Sequence, residues 1–168
     1  MELLKGRVDI GGERFPDAGS FVEALDSVGT SSGVTVQAFD ARYVVSRQHL
    51  ERAVELADRE RDRGKAIARD RGVELMLYAA GRRQIDRALK MGVDETTTEV
   101  VVLIDGDGEE GGAVAALREH VDPAETLGTY DASTVRSFFG IDAVELEATE
   151  ADLEALVLER VALLVVER

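Results

Sequence analysis

The sequence predicts an α+β fold: a single domain with a small mixed or antiparallel sheet flanked by several helices. Stretches with an apolar period of two and of 3.6 are interspersed, without the regular strand–helix–strand alternation of a parallel α/β sheet. Residues 96–105, "TTTEVVVLID", carry five consecutive apolar residues, the pattern of a strand at the centre of a sheet. The 168 residues hold no internal repeat, low-complexity tract or linker-like segment, and they suffice for one core.

Taken in order, "ELLKGRVDI" (2–10) alternates loosely and predicts a first strand, ended by Gly11-Gly12. "PDAGSFVEALDSVG" (16–29) predicts a short helix with Phe21, Val22 and Leu25 inward, closed by Gly29. "TSSG" is a turn, and "VTVQAF" (34–39) a strand with Val34, Val36 and Ala38 on one face. "ARYVVS" continues extended to Ser46, an N-cap for the helix over 47–63, where Leu50, Ala53, Val54 and Ala57 recur at three and four residues. "RGKAIARDRG" is a connector or short helix, and "VELMLYAAG" (73–81) fits either a strand or a buried helix. "RRQIDRALKMG" predicts a helix with Ile85, Ala88 and Leu89 inward and Gly92 as its stop. "GDGEEGG" after the central strand is a loop, followed by helices near 112–120 and 132–139. "AVELEA" (143–148) alternates and predicts a last strand. Thr149, with Asp152 three residues on, starts a capping box for a final helix.

Composition bounds the function. No apolar run approaches the length of a membrane span, cysteine is absent, and the first residues are charged and strand-like, unlike a secretory leader; a cytoplasmic protein is expected. Lys+Arg total 20 against 34 Asp+Glu, a formal charge of −14, and only Lys5, Lys65 and Lys90 are lysines. Dispersed carboxylates with few lysines suit a protein working in molar salt, where the Debye length shrinks to about 3 Å and self-repulsion is weak. A cationic partner is the other explanation of the same charge.

Chemical motifs are weak. "GDGEEG" (106–111) has dinucleotide-fingerprint spacing after a strand, but Asp107, Glu109 and Glu110 stand where a pyrophosphate would approach. Read as a calcium loop from Asp105, the same stretch has Glu110 where glycine belongs and Ala116 where glutamate belongs. His49 and His120 share no ligand spacing, and no nucleophile–base set stands out, so no metal, cofactor or catalytic residue is expected.

The charge is uneven along the chain. Residues 42–90 hold 13 Lys/Arg and 8 Asp/Glu, whereas the remainder holds 7 and 26. Arg83, Arg87 and Lys90 fall on one face of the expected helix, as a solvated surface or as the landing place of an anion. In the last helix Leu153, Leu156, Val157, Val161 and Leu164 form one stripe, while Leu158, Ala162, Leu163, Val165 and Val166 fill much of the rest. That excess fits either a helix buried in its own core or one that covers a partner.

"VQAFDARYVVSRQHLERAVELA" and "GVELMLYAAGRRQIDRALKMGV" together resemble the family of small non-catalytic KEOPS-complex subunits, called PRPK-binding protein in animals. The Ser46–His49–Leu50–Ala53 helix start, Glu74 with "LMLYAAG", and Arg83-Gln84-Ile85 followed by Ala88 and Gly92 carry the resemblance over about residues 34–93. It implies one accessory-subunit domain over 1–168, here in the form expected of a salt-adapted archaeal member. It also implies binding to the complex's small atypical kinase/ATPase and to the 3′ CCA end of tRNA during N6-threonylcarbamoyladenosine synthesis. By the same resemblance Arg83, Gln84 and Ile85 belong to the tRNA-end site, with Lys65, Arg69 and Arg82 as phosphate contacts nearby. Val157, Val161 and Leu164 are the corresponding candidates for the kinase contact. The departure is the acidic surface, which weakens broad electrostatic attraction of RNA, especially in salt. The competing reading is a free-standing small nucleotide-binding protein or enzyme that uses the 105–111 loop.

Overall fold

In a computed structural model, which describes residues 1–148 and 152–166, the chain forms two compact units. The first, residues 1–41 with 92–127, contains the sheet; the second, residues 42–91 with 128–168, is helical in its described part.

The sheet unit has four strands in the order β2-β3-β1-β4: β1 (Glu2–Arg7), β2 (Thr35–Asp40), β3 (Glu99–Asp105) and β4 (Asp122–Pro123). Every pairing is antiparallel. The α+β class and the central place of "EVVVLID" are therefore as the sequence predicts. Val102 sits opposite Leu4 on one side and Ala38 on the other, which puts Val100, Val102 and Ile104 in one core row with Leu4, Val36 and Ala38. Helices α1 (Ala18–Ser32) and α5 (Glu110–Leu117) pack together and cover that row through Phe21, Leu25, Ala113 and Leu117. Val101 and Leu103, on the opposite face of β3, are buried too, which explains the unbroken apolar run.

One boundary and one facing here differ from expectation. Helix α1 does not close at Gly29 but runs on through "TSS" to Gly33, whose left-handed conformation stops it. Gly29 instead lies buried on the inner side of the helix, so a glycine that looked like a stop serves close packing. Val22 is 39% exposed, so it does not share the inward face of Phe21 and Leu25. The helix begins at Asp17, whose carboxylate accepts the Ser20 amide at 2.7 Å.

The helical unit holds α2 (Arg47–Asp62), α3 (Arg71–Ala80), α4 (Ile85–Ala88), α6 (Ala132–Phe139), α7 (Ala143–Ala148) and α8 (Leu153–Val166). Ser46 caps α2 as expected, accepting the His49 amide. Residues 41–43 make a single 3₁₀ turn rather than extended chain. "VELMLYAA" is a buried helix, α3, capped by the Asp70 carboxylate and ended by Gly81. "AVELEA" is helical, not a strand: Asp142 caps the Glu145 amide at 2.7 Å, and Glu145 accepts two hydrogen bonds from Arg160 of α8. Its alternation comes from exposed Val144 and half-buried Leu146, not from a pleated core face. Thr149 lies outside the described residues; Asp152 caps α8 through the Ala155 amide.

His49 joins the start of α2 to the end of α3. Its Nε2–H donates to the Ala79 carbonyl at 2.8 Å, and Nδ1 accepts from the Val45 amide at 3.3 Å. Both bonds suit neutral imidazole, and complete burial lowers its pKa to about 4 against the raising effect of the Ala79 carbonyl. Below pH ~6.5 the unfolded chain takes up a proton that the folded one refuses, so stability falls as the pH drops from ~6.5 to ~4 and is unaffected above. This group alone should remove about 2 kcal/mol between pH 7 and pH 5. Urea unfolding at both pH values should show that loss in wild type and a shallower dependence, by about one proton, in His49→Phe. Equal slopes would contradict the neutral buried histidine.

Candidate functional site

The basic middle of the chain is built around α3. This helix is fixed by burial of Leu75, Met76, Leu77, Tyr78, Ala79 and Ala80, so both of its ends project connecting segments from a rigid base. Ten residues of helix separate those ends by about 15 Å. Lys65 and Arg69 are exposed on the connector before α3; Arg82, Arg83, Gln84 and Ile85 follow it. The sequence candidates thus form two groups, one at each end of the same helix.

At the C-terminal end the chain turns at Gly81, which is left-handed (φ 62°) and closes α3 by donating to the Leu77 and Tyr78 carbonyls. A Cβ here would stand 3.0 Å from the Arg160 carbonyl of α8. Gly81→Ala combines left-handed strain with that backbone contact and should cost about 2 kcal/mol, read as a lower urea midpoint at unchanged m-value. A midpoint equal to wild type would show that the turn relaxes freely.

The expected "RRQIDRALKMG" helix is much shorter than its pattern suggests. Only Ile85–Ala88 is α-helical, followed by one 3₁₀ turn, Leu89–Met91. Ala88 and Met91 face inward, whereas Ile85 is 49% and Leu89 55% exposed, so neither belongs to the core as the helical wheel implied. Gln84 occupies the N-cap position with no capping hydrogen bond from its side chain, and Arg83 beside it is exposed. Arg82 is different: its guanidinium donates to the Phe138 carbonyl and lies over the Phe138 ring at 5.5 Å. It holds the turn to α6, which leaves less of its charge for an outside phosphate.

Arg82, Asp86, Arg87 and Lys90 line one side of an open cleft of about 660 Å³. The other lining residues are Tyr43 and, from α6, Ser133, Thr134, Ser137 and Phe138. The Tyr43 and Phe138 rings meet edge to face at 5.3 Å. Cations, hydroxyls and aromatic edges in one concavity suit a phosphate-bearing, partly apolar ligand. Arg83, Gln84 and Ile85 are not among the lining residues; they stand on the exposed turn next to it in sequence, and Lys65 and Arg69 lie apart. The aromatic and hydroxyl contributors were missed at the sequence level. Ser133 and Ser137, four apart on one helix face, were their only trace.

On α8, Val157 and Val161 are fully buried and Leu164 nearly so, in a helix that packs on α2, α3 and α6. That stripe is interior in the free chain. Leu158, Ala162, Leu163 and Val165 are half-buried, and Val166 is 75% exposed.

The 105–111 loop offers little room for a phosphate. Its Gly106 amide donates to the Glu110 carboxylate at 3.2 Å, its Glu109 amide donates to the Ser32 carbonyl at 2.9 Å, and Asp107 and Glu109 are exposed beside them. Among the described residues no group of three or more His, Asp or Glu is placed to hold a metal ion, and no helix is long and apolar enough to cross a membrane.

Residues 21–164 match the sequence model of the family described as kinase binding protein CGI-121. The chain belongs to that family, the small-subunit family of the KEOPS complex. A search among curated proteins gave no match. The CGI-121 match spans α2, α3, the Arg82–Lys90 turn, the α6 side of the cleft and α8 to Leu164. The matched span includes the candidate positions from Lys65 to Leu164.

Proposed function

We propose that this CGI-121 family member is a non-catalytic, cytoplasmic KEOPS subunit that binds the complex's small atypical kinase/ATPase and holds the single-stranded 3′ CCA end of tRNA for N6-threonylcarbamoyladenosine synthesis. The observation that carries the tRNA half is the exposed Arg83-Gln84-Ile85 turn beside a cleft with Arg87 and Lys90. An apolar side chain, an amide and cations together suit unstacked terminal bases and their phosphates. The acidic remainder disfavours long-range attraction of RNA, so short-range shape and hydrogen bonding carry recognition, in keeping with salt adaptation. The loop at 105–111, with its Gly106 and Glu109 amides engaged and Asp107 and Glu109 exposed beside them, offers no support for a nucleotide-binding role.

A thermal-shift series in high salt tests this reading. Intact tRNA should raise the melting temperature, whereas ATP and NAD should leave it unchanged. Stabilisation by either nucleotide alone would favour the competing reading.

For the kinase contact, the buried stripe on α8 leaves exposed Val166 and, one turn before it, half-buried Leu163 as apolar surface. The double substitution Leu163→Asp/Val166→Asp should keep the circular dichroism of wild type and weaken kinase binding about tenfold or more. A folded variant that binds the kinase like wild type would exclude this side of α8.

A further inference from the structure

We propose that Glu74 is a positioning residue: its buried carboxylate shapes the 63–70 connector and thereby sets Lys65 and Arg69 for the tRNA strand, an inference that rests on the tRNA reading above. The connector between α2 and α3 has no regular helix or strand to fix its path. Glu74, in the first turn of α3, is fully buried. Its two oxygens share the Ile67 amide at 3.1 Å each, and Oε2 also accepts the Ala68 amide at 2.6 Å. The anchored pair Ile67-Ala68 lies directly between the two exposed cations, two residues after Lys65 and one before Arg69.

Neighbouring bonds complete the frame. The Lys65 amide donates to the Glu60 carbonyl at 2.8 Å, the Ala68 carbonyl accepts from Arg61 at 3.3 Å, and Arg71 donates to Asp58 at 3.0 Å where α3 begins. Burying a carboxylate is unfavourable unless its lone pairs are satisfied, and an apolar side chain would fill the same space without that penalty. What only an acceptor does here is gather two successive amides onto one point, aided by the N-terminal end of the helix dipole. Fixing the backbone beneath two long, flexible cationic side chains lowers the entropy lost when they engage an RNA strand.

Two variants separate shape from fold. Glu74→Gln keeps a carbonyl oxygen that can replace Oε2; Glu74→Met keeps only the volume. Purified full chains of each are titrated with intact tRNA, alone and combined with Lys65→Ala, and Arg83→Glu is measured in parallel. Amide exchange is followed at Ile67 and Ala68. Glu74→Gln should weaken binding about threefold and Glu74→Met about tenfold, and the effect of Lys65→Ala should shrink in the Glu74→Met background. Exchange at Ile67 and Ala68 should quicken by about tenfold in Glu74→Gln while α2 and α3 stay protected, a readout that stands even where Glu74→Met fails to fold. If Arg83→Glu weakens tRNA binding but Glu74→Gln leaves affinity and exchange unchanged, or the Glu74 and Lys65 effects simply multiply, the positioning role is overturned alone. If tRNA does not bind, or Arg83→Glu binds it like wild type, the tRNA reading fails and this inference falls with it.

Discussion

Val157→Asp is expected to abolish the fold of the helical unit. Val157 has no exposed surface and sits on the side of α8 that packs on α2, α3 and α6. An aspartate there must enter that interior as an unpaired charge or as a protonated acid without a designed partner. The penalty is about 4 kcal/mol or more, on top of the lost valine contacts. Whole domains are stable by only about 5–15 kcal/mol, so little would remain. Val161→Asp should behave alike, since Val161 is equally buried. Circular dichroism and urea unfolding of the two variants decide the matter: loss of the cooperative transition or a large fall in its midpoint is expected. A native spectrum with a wild-type midpoint would contradict the placement of α8. Loss of kinase binding by either variant thus reports unfolding, whereas loss by a Leu163→Asp/Val166→Asp chain with the circular dichroism of wild type reports contact.

Arg83→Glu should weaken intact tRNA by roughly tenfold to a hundredfold, or about 1–3 kcal/mol. Arg83 is exposed on a turn with irregular backbone, so the substitution leaves the buried faces of α3 and α4 untouched. Reversal of charge converts attraction for a phosphate into repulsion and removes the guanidinium as a planar donor. Arg118→Glu, at the exposed C-terminal end of α5, changes net charge by the same amount and should have little effect. Titrations at low and high salt separate a local contact from general electrostatics: the gap between the two variants should persist in high salt, where the screened, non-specific part fades. Equal behaviour of Arg83→Glu and Arg118→Glu would make the basic turn no more than a solvated surface. Ile85→Glu is now a cleaner companion than its place in the helical pattern suggested, because Ile85 is half exposed rather than part of the core.

Legibility in the sequence followed the range of the interactions. The α+β class, the central strand and the Ser46 cap rest on local pattern, and all three appear in the structure. The period of "AVELEA" points to a strand, but a two-residue period is equally available to a short helix whose apolar residues are not both packed; the Asp142 cap and the Arg160–Glu145 pair favour the helix. "RRQIDRALKMG" carries a helical period, yet only one α turn and one 3₁₀ turn form, and Ile85 and Leu89 face outward. The basic cluster was visible, but the cleft beside it was not. Tyr43 and the Ser133–Phe138 face reach it from distant parts of the chain on either side, and no local period encodes that approach. Likewise the sequence places Glu74 in a motif, while its bonds to Ile67 and Ala68 emerge only from the folded connector.

The most direct measurement is a titration of the wild-type chain with intact tRNA and with the same tRNA lacking its CCA tail, in high salt. If the Arg83–Ile85 turn and its neighbouring cations hold the 3′ end, removal of the tail should weaken binding by about tenfold or more, and Arg83→Glu should add little further loss with the shortened tRNA. Equal affinity for the two tRNAs would contradict 3′-end recognition by this family member.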